Sequence, residues 1–413
     1  MSAGLVLILV VVGAYVAAHL ASEWLARRYL IVSGAEYLLL GILLGPQVSG
    51  MITPTTVGDF APFMTLAFGW IGALVGAQFR LPELLRIPRV MYRVAWLEAV
   101  FSLAGVAGIM AATLIWWFAL EPGAVVRPAI VLGAIAVASA PAGIAMTSRS
   151  MGQSGPMIRQ LSVATAIDAV VAITTFGVLL AVTHSEPPST IRPPTATEWV
   201  VVSIAVGLLG GILFHLFLGP ERKVDRLFIA LAGALILTSG AAAYMRLSPL
   251  LPAMLVGAVL VNTSHSNAEI RQVLAKVERP LYFVLLIFAG AAWQPSSRGW
   301  LVPVAVLLLA RTVAKLGAAR FAARWTGVLP ALGPTWGMGL LGHGGLAIAI
   351  ALNYHLDEGS ALSNVVFTAA IASVFLSDLF SARVVRSLVR AYGGRVRDAA
   401  RRLAQPRTGQ GAA

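Results

Sequence analysis

The feature that most constrains this chain is the recurrence of long apolar runs along almost all of its 413 residues. An apolar run of about 19 residues, folded as a helix, is long enough to cross the ~30 Å hydrocarbon core of a membrane. A soluble protein of this size would carry roughly 25% charged residues, whereas here the charged fraction is 11% and the mean hydropathy is +0.85. The runs are continuous rather than alternating, which excludes a β-barrel. The sequence therefore predicts an all-α polytopic membrane protein.

Hydropathy predicts thirteen membrane spans. The first span follows no basic residue, so it lacks the charged segment of a cleaved signal peptide and is predicted as a transmembrane helix. The second is marginal, because its apolar part ends at Gly45-Pro46. The predicted spans are 3–21, 33–50, 58–79, 90–118, 126–147, 157–183, 197–218, 226–244, 248–264, 279–294, 299–319, 331–353 and 361–382.

The distribution of basic residues predicts the orientation of these spans. With thirteen spans and the N-terminus outside, 24 of the 30 Lys and Arg residues fall on the inner side, four fall outside and two lie within the apolar layer. Basic residues accumulate in cytoplasmic loops. We therefore predict a cell (inner) membrane protein with a cytoplasmic C-terminus, and interpret the net charge of +13 as a topology signal rather than as a nucleic-acid-binding surface.

The C-terminal segment 383–413 is predicted to be a basic cytoplasmic tail that is partly disordered. Arg383, Arg386 and Arg390 have helical spacing next to the membrane, which fits either positive-inside anchoring or binding of anionic lipid. Enzyme chemistry has no support elsewhere in the chain. Cysteine is absent, and neither HExxH nor GxSxG occurs. We predict neither an enzyme nor a cofactor.

Asp168 is the acidic residue that lies deepest in a predicted span. It lies about 15–18 Å along its helix, near the membrane midplane, at a rise of roughly 1.5 Å per residue. Its surroundings, residues 161–173, are apolar apart from Ser162 and Thr165, with Thr174 just beyond. An ionised carboxylate at this depth is costly unless a cation meets it. Asp168 is therefore either half of a structural ion pair or an ion and proton site.

Two basic residues are predicted as partners for Asp168. Arg311 and Lys315 are four residues apart on one face of an apolar helix, and they are the two basic residues that lie within the apolar layer rather than near a span end. Glu98 is close enough to the inner end of its span to reach the membrane surface by extending its side chain. Asp378, at the inner end of the last span, is predicted to have a structural role beside the tail arginines.

The predicted span 126–147 contains a helix break at mid-depth. Residues 138–143 read ASAPAG, and they include Ser139, Pro141 and Gly143. Proline removes one helical hydrogen bond and frees a carbonyl. Freed backbone groups at membrane depth are tolerated only where protein or a water-filled cavity meets them.

The predicted span 331–353 contains a second break. Residues 337–345 read GMGLLGHGG, a stretch too rich in glycine for a regular helix, and Gly342, His343 and Gly344 lie within it. Interrupted helices at corresponding points of two halves indicate the binding site of a transporter. The two breaks therefore favour a secondary transporter.

Several stretches resemble the monovalent cation–proton antiporter superfamily, the sodium–proton and potassium–proton exchangers of bacteria and organelles. The resemblance depends on the order and spacing of these stretches and covers about residues 1–390. The stretches are Glu36–Pro46, Gly69–Arg86, Pro280–Ala291, Ala310–Arg320 and Leu340–Asn353.

The resemblance implies a fold of about 13 helices with inverted repeats, in which two broken helices cross beside a carboxylate. It also implies a homodimer, in which a core moves against a dimerisation part within a transmembrane domain, 1–382. In this sequence the core corresponds to about 90–183 and 299–382, the dimerisation part to about 1–79 and 226–294, and the linker helix to about 197–218.

The resemblance also implies a set of site residues. Ile167 departs from the family pattern, which usually has Asn, Asp or Gln just before the site aspartate, and Gln78 stands where many members have an acidic residue. The implied ion- and proton-binding residues are Asp168, Ser139, Gln78 and Thr165. The implied core base is Arg311 or Lys315, and the broken helices contribute Pro141, Gly143, Gly342, His343 and Gly344.

The function expected from these features is exchange of Na⁺ or K⁺ for H⁺ through a single midplane aspartate, with no bound metal other than the transported cation. Two alternatives stay open. One is a sodium-coupled symporter of organic anions with a similar broken-helix architecture. The other is a membrane scaffold or sensor that keeps the fold without transport, which Ile167 and Gln78 favour because each removes a polar or acidic group from the expected cavity.

Overall fold

The computed structural model describes residues 35–140, 144, 156–184, 194–218, 224–264, 266–294 and 299–404, and within these ranges all regular structure is helical. The helices are α1 (Ala35–Leu44), α2 (Pro54–Asp59), α3 (Ala61–Gly76), α4 (Leu81–Leu84), α5 (Arg89–Phe118), α6 (Pro122–Val137), α7 (Pro156–Val182), α8 (Ala196–Leu218), α9 (Val224–Tyr244), α10 (Leu250–Thr263), α11 (Asn267–Ala292), α12 (Leu301–Trp325), α13 (Leu329–Leu332), α14 (Gly345–Glu358) and α15 (Ala361–Ala404). A 3₁₀ helix, Trp336–Leu340, precedes α14.

The prediction of a polytopic, all-α membrane protein is confirmed. Six helices in the described ranges are long and apolar enough to cross a membrane: parts of α7, α8, α9 and α15, and all of α5 and α12. Three shorter apolar helices, α3, α6 and α10, accompany them. Every predicted span after the first contains a helix, and the first, 3–21, lies outside the described residues.

Two helices extend well beyond the spans predicted for them. Helix α11 begins at Asn267 rather than near residue 279, and α15 continues past residue 382 to Ala404. Both extensions are rich in charged residues, so a hydropathy window detects only the apolar half of each helix. The end of the predicted tail, 405–413, lies outside the described residues.

The helices pack in two groups. Helices α5, α6, α7, α12, α14 and α15 pack on one another and form what we call the core group. Helices α1, α3, α9, α10 and α11 form the flanking group, and α8 packs against α7 as well as α9 and α10. In the core group the order of long helix, interrupted helix and long helix occurs twice, first as α5, α6 and α7 and then as α12, α14 and α15.

Small residues allow the tightest contact in the flanking group. A Cβ atom on Gly76 of α3 would lie 1.9 Å from the Met254 carbonyl oxygen, and one on Gly257 of α10 would lie 2.1 Å from the Ala73 carbonyl oxygen. Membrane helices approach this closely only through small residues, because lipid provides no hydrophobic force to press larger side chains together. Helices α3 and α10 are therefore packed closely against each other beside the core group.

Candidate functional site

The two predicted breaks meet at the centre of the core group. Helix α6 ends at Val137, and residues 138–140 are not helical. The backbone N–H of Ala140 donates a 2.9 Å hydrogen bond to the Gly342 carbonyl oxygen, and Ser139 Oγ donates to the Leu340 carbonyl oxygen at 2.9 Å. These bonds join the two interrupted segments directly, so the helices cross where their own hydrogen bonding stops.

The crossing requires glycine at position 344. Gly344 has a φ of +72°, in the left-handed region, and a Cβ there would lie 3.0 Å from the Cβ of Ala140. A side chain at Gly344 would therefore strain the backbone and press on the opposite segment. The other predicted break residues, Pro141 and Gly143, lie outside the described residues.

Arg311 binds the freed carbonyls of the crossing. Its Nε donates to the carbonyl oxygen of Ala136 at 2.8 Å, and its Nη1 donates to that of Leu341. Its Nη2 lies 3.1–3.3 Å from three more carbonyl oxygens, those of Ala138, Leu340 and Gly342. Because the guanidinium directs its donors to both segments, Arg311 holds the crossing together and is not the direct partner of Asp168.

Lys315 is the direct partner of Asp168. The Lys315 ammonium lies 2.7 Å from Asp168 Oδ2 and 3.1 Å from Glu98 Oε1. All three side chains are fully buried. Asp168 Oδ1 is also buried and has no hydrogen-bond partner among the described residues. The cluster thus presents one carboxylate oxygen that is free to accept a proton or a cation.

Glu98 corrects a prediction. The sequence places it near the inner end of its span, within reach of the membrane surface, but in the structure its exposed fraction is 0%. Besides contacting Lys315, Glu98 Oε1 accepts a 3.0 Å hydrogen bond from Ser102. The position of a residue along a helix gives its depth but not the face on which it lies. Helix α5 is apolar on every side, so its sequence pattern does not show which face is buried. The available signal was Ser102, a polar residue one turn after Glu98 on the same face.

A cavity of about 610 Å³ reaches the crossing from the end of the bundle predicted to be cytoplasmic. It lies between the core group and α3 and α11 of the flanking group. Asp168 does not line it, but Thr165 and Ala169, which precede and follow it on α7, do. The predicted site residues that line the cavity are Gln78, Ser139, Thr165, Gly342, His343 and Gly344.

Asp378 lies at the cavity rather than simply beside the tail. Its Oδ1 accepts a 3.0 Å hydrogen bond from the backbone N–H of His343, at the start of α14. The His343 ring is buried, and neither of its nitrogens has a hydrogen-bond partner in the described ranges. Asp378 therefore ties α15 to the crossing and adds a carboxylate to the cavity that the sequence alone did not assign.

The remaining predicted residues contribute less. The Thr165 hydroxyl donates to the Ser162 carbonyl oxygen at 3.0 Å, and Thr165 lines the cavity. Ile167, the departure from the family pattern, is buried. Across the described ranges, no group of three or more His, Asp or Glu side chains could hold a metal ion.

A second contact joins the interrupted helices at their far ends. Arg127, near the start of α6, lies 2.8 Å from Asp357 Oδ2 and also pairs with Glu358, at the end of α14. The Arg127 guanidinium also lies 5.7 Å from the ring centre of Tyr354. The two interrupted helices are therefore joined at two places, at the crossing and at the ends far from it.

Comparison with known proteins finds a similar fold among solved structures. No family model matches the sequence, and no curated protein matches it. Among solved structures, the sodium–proton antiporter MjNhaP1 from Methanocaldococcus jannaschii at pH 8 superposes with a TM-score of 0.65 at 15% identity, covering 93% of this chain and 98% of that one. A map-based structure of the same antiporter superposes with a TM-score of 0.62 at 16% identity over 98% of this chain and 100% of that one.

This chain has the sodium–proton antiporter fold. The likeness spans nearly the full length of both chains, so it covers both helix groups as well as the crossing. The fold implied by the family resemblance is thereby confirmed, with its multi-pass membrane architecture. Within the antiporter fold, the crossing and the Asp168–Lys315–Glu98 cluster form the candidate site.

Proposed function

We propose that the protein exchanges a monovalent cation, Na⁺ or K⁺, for H⁺ across the membrane through Asp168. The observation that carries the proposal is the state of this carboxylate, which is fully buried with Oδ2 bound to Lys315 and Oδ1 free of any partner among the described residues. A buried carboxylate with a free oxygen can bind a proton or a cation, but not both at once. Competition for one oxygen is the simplest basis for exchange.

The cavity next to Asp168 is lined by residues that suit a small, hard cation. Such ions prefer oxygen ligands, and the cavity is lined by Ser139 and Thr165, which carry hydroxyls, and by Gln78, which carries an amide oxygen. The MjNhaP1 antiporter, whose fold this chain shares, is a sodium–proton exchanger by name. We propose that a cation enters from the cavity and displaces a proton from Asp168 Oδ1, while Lys315 remains on Oδ2.

We also propose that the core group moves against the flanking group during exchange and that the flanking group forms a homodimer contact. The cavity supports the first part, because it lies at the boundary between the groups and opens toward one end of the bundle. Movement of the core group would close this cavity and open the site to the other side.

Proteoliposomes test the function directly. The purified protein is reconstituted with an internal pH gradient, and a fluorescent pH probe is followed while Na⁺, K⁺ and Li⁺ are added in turn. We expect at least one of these cations to dissipate the gradient. Absence of a response to all three would refute exchange and would favour the scaffold or sensor interpretation.

The exchange is predicted to be electroneutral. Ile167 cannot titrate, so one cation should displace one proton from Asp168, with no net charge moved. Clamping the membrane potential of the liposomes with K⁺ and valinomycin, with Na⁺ as substrate, checks this. The rate should be the same at zero and at negative potential, and a clear acceleration by voltage would contradict the prediction.

The orientation is predicted from the distribution of basic residues. The chain has no cysteine, so single cysteines can be introduced without background. Ala196, at the exposed start of α8, is predicted outside, and Ser387, exposed on the extension of α15, is predicted in the cytoplasm. In intact cells, an impermeant maleimide should label the Ala196→Cys variant but not the Ser387→Cys variant. The reverse pattern would invert the topology.

A further inference from the structure

The buried cluster contains more negative than positive charge. Lys315 is one ammonium between two carboxylates, with Asp168 Oδ2 at 2.7 Å and Glu98 Oε1 at 3.1 Å. None of the three side chains is exposed. When all three are ionised, the cluster carries a net charge of −1.

Arg311 does not cancel this charge. Its donors are directed at the backbone carbonyls of the crossing rather than at a carboxylate, and it is attracted by Asp378 as well as by Asp168 and Glu98. When Arg311 and Asp378 are counted with the cluster, their charges cancel and the sum stays at −1. The cluster of Asp168, Glu98 and Lys315 keeps its own excess charge.

We propose that Glu98 couples the two ion fluxes by keeping the empty site negatively charged. Asp168 and Lys315 alone would form a neutral pair when empty, and a neutral site can cross the low-dielectric interior without its cargo. With Glu98 ionised, the empty cluster carries −1, and a net charge is costly to move through such a medium. This proposal rests on the proposed function.

The same charge count makes both loaded forms neutral. A proton on Asp168 Oδ1 brings the cluster from −1 to zero, and a monovalent cation bound to the same oxygen does so too. Only the loaded forms then cross, so each cation carried one way requires a proton carried back. Glu98 does not touch the cation in this scheme, because its Oε1 is directed to Lys315 and Ser102, so it is a positioning residue that acts through Lys315.

The decisive variant is Glu98→Gln. It leaves the empty site neutral and gives each loaded form a charge of +1. The neutral empty site should then return more readily than the proton-loaded one, so the cation flux that remains should be uncoupled and should respond to voltage. We expect the number of protons moved per cation to fall by at least about tenfold, since a tenfold preference corresponds to only about 1.4 kcal/mol, well below the cost of moving an uncompensated charge. Isotopic cation flux and proton flux are measured in the same proteoliposomes.

Three further variants separate charge from folding. Glu98→Asp keeps the charge and Ser102→Ala removes only the hydrogen bond to Glu98, so both should keep the wild-type ratio. A merely damaged protein would lose both fluxes together and also keep that ratio. The double variant Glu98→Gln with Lys315→Gln leaves Asp168 as a single charge, and it should recover coupling and voltage insensitivity.

The outcomes are distinct. An unchanged ratio and no voltage response in Glu98→Gln would overturn the role of Glu98 while leaving the exchange function intact. A folded double variant that stays uncoupled would overturn it independently, even if the single variant failed to fold. Absence of exchange in the wild-type protein would instead refute the proposed function, and this inference with it.

Discussion

Replacement of Asp168 by asparagine should abolish cation-driven proton flux while leaving the protein folded. Asparagine keeps the size and shape of the side chain but cannot exchange a proton. Removing one partner of a buried ion pair typically costs about 3–5 kcal/mol, because the other charge is left uncompensated. Here Glu98 remains 3.1 Å from the Lys315 ammonium and balances it. The structure therefore predicts a large loss of flux with a much smaller loss of stability.

The measurement is flux per folded molecule, with the melting temperature recorded on the same preparation. Asp59→Asn is a matched control, since Asp59 is an exposed aspartate at the end of α2 and should behave as the wild type. Near-normal specific flux in the Asp168→Asn variant would remove Asp168 from the mechanism. Poor expression with normal flux in the folded fraction would indicate that Asp168 serves structure instead.

Replacement of Arg311 by alanine should cause the largest loss of stability in the core group. The guanidinium lies within hydrogen-bond reach of five carbonyl oxygens from the two interrupted segments. Each buried polar group left without a partner costs about 1–3 kcal/mol, and water entering from the cavity can replace only some of these bonds. We expect a loss of at least about 3 kcal/mol, together with loss of exchange.

Thermal unfolding in detergent checks this, with Arg320→Ala as the control at an exposed position near the C-terminal end of the same helix. Arg311→Lys keeps the charge but lacks the planar fork of donors, so its stability should fall between those of Arg311→Ala and the wild type. Equal melting temperatures for Arg311→Ala and Arg320→Ala would show that the crossing is held by its backbone contacts alone.

Much of the fold follows from the sequence because lipid offers no hydrogen-bond partners to the backbone and solvates charges poorly. Backbone groups in hydrocarbon must be satisfied within the segment, so each apolar run predicts a helix, and the glycine-rich stretch 337–345 predicts a break. The Asp168–Lys315 pair was predictable for a similar reason, since a deep carboxylate needs a cation and few are available. The free-energy cost of an unsatisfied backbone group or an unpaired charge in lipid is enough to predict each of these features.

The rest depends on which helices become neighbours. Glu98 was misjudged because its depth is compatible with both the surface and the interior, and only the packing of α5 against α7 and α12 decides between them. Arg311 was equally suited to Asp168 by position, but the carbonyls of two segments distant in sequence bind it instead. The contact of Arg127 with Asp357 and Glu358 likewise joins residues whose spacing gives no sign of contact.

The double fastening of the interrupted helices determines what kind of motion can carry an ion. Arg311 at the crossing and Arg127 at the far ends of the two helices hold them together at two points, which opposes a channel opening between them. In the proposed exchange, Asp168 and its countercharges all belong to the core group, so the ion would travel with that group instead of passing through it. In that mechanism ion affinity would be set by the core group alone, whereas the transport rate would depend on how this group slides along α3 and α11. Substitutions at that boundary would then change the transport rate without altering which ion is bound.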